Sequence, residues 1–73
     1  MPYMHIRITD EGVTREQKAE LVRRSTTMLV EVLGKDPATT VVVIEEVLTE
    51  NWGIAGELVD VRRARERGHG PGP

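Results

Sequence analysis

Six consecutive β-branched residues, Thr39-Thr40-Val41-Val42-Val43-Ile44, run directly into the paired carboxylates Glu45-Glu46. Side chains of a strand alternate between two faces, so an unbroken branched run belongs where both faces are covered, as in parallel sheets. A second strand is written at the start of the chain. There Met4, Ile6 and Ile8 alternate with Tyr3, His5 and Arg7, the period-two pattern of a strand over residues 2–8 with unlike faces. The Met/Ile face should meet a helix. The stretch between the two strands has helical periodicity, and strand, helix, strand in that order form a βαβ unit with a right-handed crossover. One helix covers one sheet face. The other face of the valine run therefore calls for a second copy, and the expectation is an α+β subunit that oligomerises through its sheet.

Length points the same way. A chain of 73 residues is one domain that buries only about 60% of its unfolded surface. Chains this small lean on disulfides, a metal or association. There is no cysteine, which removes disulfides and thiolate metal sites. The two histidines, His5 and His69, stand at opposite ends, so neither a metal nor a cofactor is expected. Association is the route left. No apolar run approaches the ~20 residues of a membrane span, and no charged-then-apolar leader opens the chain. No membrane partner is expected, and the expected location is the cytoplasm. Residues 1–61 carry a net charge of −5 and the segment from Arg62 onward +3. An acidic body argues against nucleic acid as a partner.

Along the chain, Thr9–Val13 reads as a loop. Thr14 is placed as a helix N-cap, with Gln17 three residues on to complete a capping box. Ala19, Leu21, Val22, Thr26, Leu29, Val30, Val32 and Leu33 give an apolar stripe, predicting a helix over about 15–33. Gly34 is placed to end it in the left-handed conformation. Asp36-Pro37 breaks the chain before the valine run. Thr49-Glu50-Asn51 is turn-like, and Trp52 to Val59, with its bracketing glycines, reads as a short hairpin or an arm laid on a neighbour. Residues 62–73 are basic and then Gly/Pro-rich without periodicity. They are assigned to a tail outside the 1–61 domain, disordered over 64–73.

Pro2 admits two roles. Proline lacks a backbone N–H and suits the first position of a strand. Met1 before a small residue is also removed in normal processing, which leaves Pro2 with a free secondary amine. An α-amino group titrates near pH ~8 when unperturbed, and an apolar pocket lowers that value. A neutral, rigidly held amine is a general base.

Met1-Pro2-Tyr3, Ile6-Arg7-Ile8, Gly12 to Lys18, Pro37 before the Val/Ile run, and Asn51 to Glu57 after Glu45-Glu46 together resemble the 4-oxalocrotonate tautomerase family over about residues 1–60. The resemblance implies small β-α-β subunits that form dimers and commonly hexamers, with the processed proline in a pocket at a subunit interface. It implies an isomerase that moves a proton in a small enol or keto acid, with Pro2 as general base. The substrate-binding candidates are Trp52, which matches the family's pocket aromatic, with Arg7, Thr40 and Tyr3. Enolate formation needs cations or donors beside the base, and two arginines serve in the family. Their positions here correspond to Val13 and Val41. That departure points to a substrate with less charge than a dicarboxylate. Relatives that hydrate or dehalogenate unsaturated acids use a carboxylate in the C-terminal hairpin, where this chain has Ile54. Three further readings stay open: a non-catalytic subunit of the same fold, a hetero-oligomer whose partner chain brings the cations, and a hydratase- or dehalogenase-like relative in which Glu45 or Glu46 stands in for that carboxylate.

Overall fold

A computed structural model describes residues 1–69. Strand β1 spans Tyr3–Thr9, helix α1 Arg15–Leu33, and strand β2 Val41–Val47. A tight hairpin follows, with β3 at Gly53–Ile54 and β4 at Glu57–Leu58, and helix α2 over Val59–His69 closes the described chain. β1 and β2 pair in parallel from Tyr3↔Val41 to Thr9↔Val47, so the expected βαβ unit is present. Pairing extends past both ends, through Val41 N–H to the Pro2 carbonyl (3.0 Å) and Asp10 N–H to the Val47 carbonyl (2.8 Å).

The ends of α1 follow from local chemistry. The Thr14 hydroxyl accepts from Gln17 N–H (3.1 Å) and the Gln17 side chain accepts from Thr14 N–H (2.9 Å), satisfying two orphan donors of the first turn. At the far end Gly34 adopts φ 67°. Its N–H reaches the Val30 carbonyl at 2.9 Å, the 5→1 bond of an αL cap, and the Lys35 N–H points back to the Leu29 carbonyl (3.4 Å).

Parallel register sorts the sheet into two faces. Met4, Ile6, Ile8, Val42 and Ile44 are half-buried on the α1 side, with Glu46 paired to Lys18 of the helix. Tyr3, His5, Arg7, Val41, Val43 and Glu45 share the opposite face and stay exposed in the single chain. The helix stripe differs in part from expectation. Ser25, Thr26, Leu29 and Val30 turn inward, whereas Leu21, Val22, Val32 and Leu33 are exposed. Two strands are too narrow a platform to cover more of the helix circumference.

Two segments differ from the sequence reading. β2 begins at Val41, not Thr39, because Pro37–Thr39 form a 3₁₀ turn capped by the Asp36 carboxylate on Ala38 N–H (2.9 Å). The segment beyond Arg62 is helical through His69, where a disordered tail was expected from residue 64. Residues 70–73 of that tail lie outside the described residues. The helix lacks an apolar stripe and is anchored instead by one buried residue at its start and by ion pairs of Arg63 with Glu11 and Arg65 with Glu57. Val59 is fully buried, alone among the described residues, and its N–H donates to the Trp52 carbonyl (2.8 Å). Downstream, Arg62 and Arg63 meet Glu66 at i,i+4 and i,i+3, spacings that support a helix without a core.

Candidate active site

Pro2 lies at the head of β1, half-buried, next to the Thr40–Val41 peptide that donates to its carbonyl. Met1 projects away from it and is 91% exposed. Nothing in the fold depends on that methionine. Tyr3 follows on the uncovered sheet face, 63% exposed, with its ring edge toward His5 at 6.2 Å between centroids. The Thr40 hydroxyl donates to the Asp36 carbonyl (2.8 Å), so its proton is engaged in the turn and its oxygen is left as an acceptor.

Arg7 and Trp52 stand elsewhere. They line an open pocket of about 510 Å³ with Glu45, Val47, Asn51 and Gly53. Trp52 is held at the hairpin base, with its N–H toward the Thr49 carbonyl (3.4 Å) and its carbonyl receiving Val59. A two-residue turn fixes that hairpin, with Ala55 at φ 53° and Gly56 at φ 80°, the positive pair that a tight hairpin turn requires. Arg7 Nε donates to Glu45 Oε1 (3.1 Å), and His5 Nε2 reaches the same oxygen at 2.8 Å. The Arg7 guanidinium, with His5 behind it, holds the Glu45 carboxyl below its ordinary range. Arg7 therefore enters the pocket already partnered.

The candidate residues thus fall into two groups. Pro2, Tyr3 and Thr40 mark one end of the sheet, and Arg7 and Trp52 the other, separated along β1 by about 13–17 Å at 3.3 Å per residue. One chain does not bring them together. The arginine-equivalent positions hold no cation either: Val13 is half-buried after the β1 loop, and Val41 is exposed beside Tyr3. Among the described residues, no three His, Cys, Asp or Glu side chains cluster to hold a metal ion. No helix there is long and apolar enough to cross a membrane.

Sequence reasoning missed one connection at this end of the molecule, the ion pair of Arg63 on α2 with Glu11 in the β1–α1 loop. The residues stand 52 positions apart, and no local pattern announces such a contact. The i,i+3 spacing of Arg63 and Glu66 was the available signal that this stretch is helical.

Residues 2–62 match the family model described as "Tautomerase enzyme". A protein of Dickeya dadantii (strain 3937) named "Probable tautomerase K2" is 60% identical over 63 residues, covering 86% of this chain and 94% of that protein. A 2-hydroxymuconate tautomerase of Comamonas testosteroni is 43% identical over 56 residues, 77% of this chain and 87% of the relative. Among solved structures, DmpI from Helicobacter pylori superposes with a TM-score of 0.83 at 37% identity, covering 89% of this chain and all of that one. By the extent of the family match and by the identity and coverage of these relatives, the chain belongs to the tautomerase family.

Proposed function

We propose that the chain is an isomerase that moves a proton in a small enol or keto acid, with Pro2 as the general base once Met1 has been removed. The observation that carries this reading is the geometry of the N-terminus. The Pro2 carbonyl is pinned to β2 while Met1 extends into solvent. Cleavage there breaks no contact of the fold and leaves a ring amine at a fixed place. The neutral form of such an amine is a base that can take a proton from one position and return it to another.

The separation of Pro2 from Arg7 and Trp52 favours a site completed between copies, in which the proline of one chain meets the hairpin pocket of another. The charge of that pocket argues for the substrate class. Arg7 is offset by Glu45, and valines occupy positions 13 and 41. A monoanionic enol acid suits this composition better than a muconate-like dicarboxylate, whose second carboxylate finds no free cation. Trp52 supplies an apolar wall.

Intact-mass measurement of the purified protein is expected to show loss of Met1. Ketonisation of phenylenolpyruvate is expected to exceed that of 2-hydroxymuconate. Pro2→Ala should lower the rate about 10²-fold, the low end of what a general base contributes. Equal rates for Pro2→Ala and the native protein remove the proline from the mechanism. Activity that appears only with an arginine-bearing partner chain favours the hetero-oligomer instead.

A further inference from the structure

His5, Arg7 and Glu45 meet at a single oxygen. The parallel register sets Arg7 opposite Glu45, and His5 lies two residues back along β1 on the same face. Arg7 donates from Nε to Glu45 Oε1 at 3.1 Å, and His5 Nε2 stands 2.8 Å from that same oxygen. Among the described residues no hydrogen bond takes the Nη1 or Nη2 group of Arg7. A guanidinium held through Nε still has its two terminal nitrogens, a planar fork that fits a carboxylate. Arg7 is also the one cation lining the pocket of Val47, Asn51 and Trp52.

The three groups answer differently to pH. An arginine stays a cation throughout. Glu45 stays an anion near neutral pH, because its hydrogen bond from Arg7 holds the carboxyl below the ordinary range. A histidine is the side chain whose charge changes between about pH 5 and 8. Arg7 and Glu45 cancel, so the cluster is neutral beside a neutral His5 and carries one positive charge beside a protonated one. The surroundings add no competing charge. Tyr3 meets His5 by its ring edge, and a tyrosine is uncharged in this range. Lys18 and Glu46 pair on the α1 side of the sheet. The hairpin residues at the pocket, Asn51, Trp52 and Gly53, are uncharged. His5 therefore decides whether the pocket carries a net charge.

We propose that the Arg7–Trp52 pocket is a proton-gated anion site: the terminal nitrogens of Arg7 take a monocarboxylate, and protonation of His5 offsets Glu45 and tightens that binding. His5 and Glu45 are positioning residues, which act on the anion through Arg7. That the natural anion is an enol or keto acid rests on the isomerase reading above; the gate itself does not. The chain has one tryptophan, and it lines this pocket, so its fluorescence reports the site directly. The full chain is titrated with benzoate, which stays ionised over the range, at about pH 5.5 and about pH 8. Binding is expected to be about threefold tighter at the lower pH, the effect of one solvent-screened charge a few ångströms away. His5→Gln keeps a donor for Glu45 but does not titrate, and should hold the weaker affinity at both pH values. Glu45→Gln removes the offsetting charge and should tighten binding at the higher pH by a similar factor. Arg7→Gln should abolish the saturable response. Benzyl alcohol, the uncharged analogue, should bind equally at both pH values. A native affinity that does not change with pH, the same tightening in His5→Gln, or benzoate binding that survives Arg7→Gln each overturn the proposal. Pro2→Ala tests the isomerase reading by turnover, keeps an N-terminal amine and should leave the benzoate ratio intact, so the two ideas fail separately.

Discussion

Thr14 and Gly34 bound α1 through bonds that span only a few residues, and each carries a defined share of the helix. Thr14→Ala removes the acceptor for Gln17 N–H and is expected to cost about 1 kcal/mol in denaturant unfolding, with Thr14→Ser close to neutral. Gly34→Ala meets no atom within 4 Å but must hold φ +67°, so its cost is purely that of left-handed backbone, about 1–2 kcal/mol. Acid should weaken the fold through its paired carboxylates. Glu11, Glu20, Glu45 and Glu46 all sit below the usual 4.5, each chiefly through a hydrogen bond from a basic side chain. A depressed folded pKa contributes stability that is complete above the unfolded value and is lost as pH falls through the folded one. Melting temperature is therefore expected to be flat with respect to these groups above pH 4.5 and to decline below it. A decline centred above pH 6 points to other groups. The caps were legible in the sequence because donor and acceptor lie within one turn. The Arg7–Glu45 pair was foreseeable once both strands were placed, since parallel register sets them opposite. Arg63 and Glu11 were not, because their meeting depends on how α2 leaves the hairpin.

At the scale of elements, the legible parts were those with a strong period or a turn signature. The alternation of β1 and the stop at Gly34 needed only local rules, and of the two readings its glycines allow Trp52 to Val59, a hairpin or an arm laid on a neighbour, the hairpin is the one formed. What failed was α2. Its sequence offers helix-forming Arg, Ala and Glu without an apolar stripe, and an amphipathic test discards such a segment. The structure supplies the missing reason in Val59, whose burial at the start of the helix fixes the rest. Val59→Ala is expected to cost about 2 kcal/mol from lost burial and the cavity left behind. Because that residue joins hairpin to helix, the loss should appear as early melting of α2, read as fewer protected amides over residues 61–67 than over α1. Equal loss of protection in both helices shows instead that they unfold as one unit. The inward face of α1 was half legible. Its apolar residues outnumber what two strands can cover, and sequence alone does not say which of them the sheet takes.

The surplus is a property of the whole molecule. A chain of this length in a compact domain has a radius of gyration of about 11 Å, whereas this one measures 16.5 Å. Val59 is its sole fully buried hydrophobic among the described residues, and Tyr3, Val41, Val43 and Val32 stay exposed. Such a protomer has too little core to be stable alone. The valine run, covered on its α1 side and uncovered on the other, places the missing contacts on the sheet face that holds Val41 and Val43. Stability should then rise with protein concentration, since association of folded chains draws the equilibrium away from the unfolded state. Val43→Asp puts an unpaired carboxylate at the centre of that face, where covering it by another copy costs several kcal/mol. Sedimentation equilibrium should show the variant dissociated at concentrations where the native chain is associated, with a lower melting temperature. Val43→Thr, which keeps the β-branched shape and adds no charge, should remain associated. A Val43→Asp protein with native mass and native melting temperature means that the sheet face stays uncovered. Assembly must then run through the exposed side of α1, where Leu21, Met28 and Val32 offer the other apolar surface.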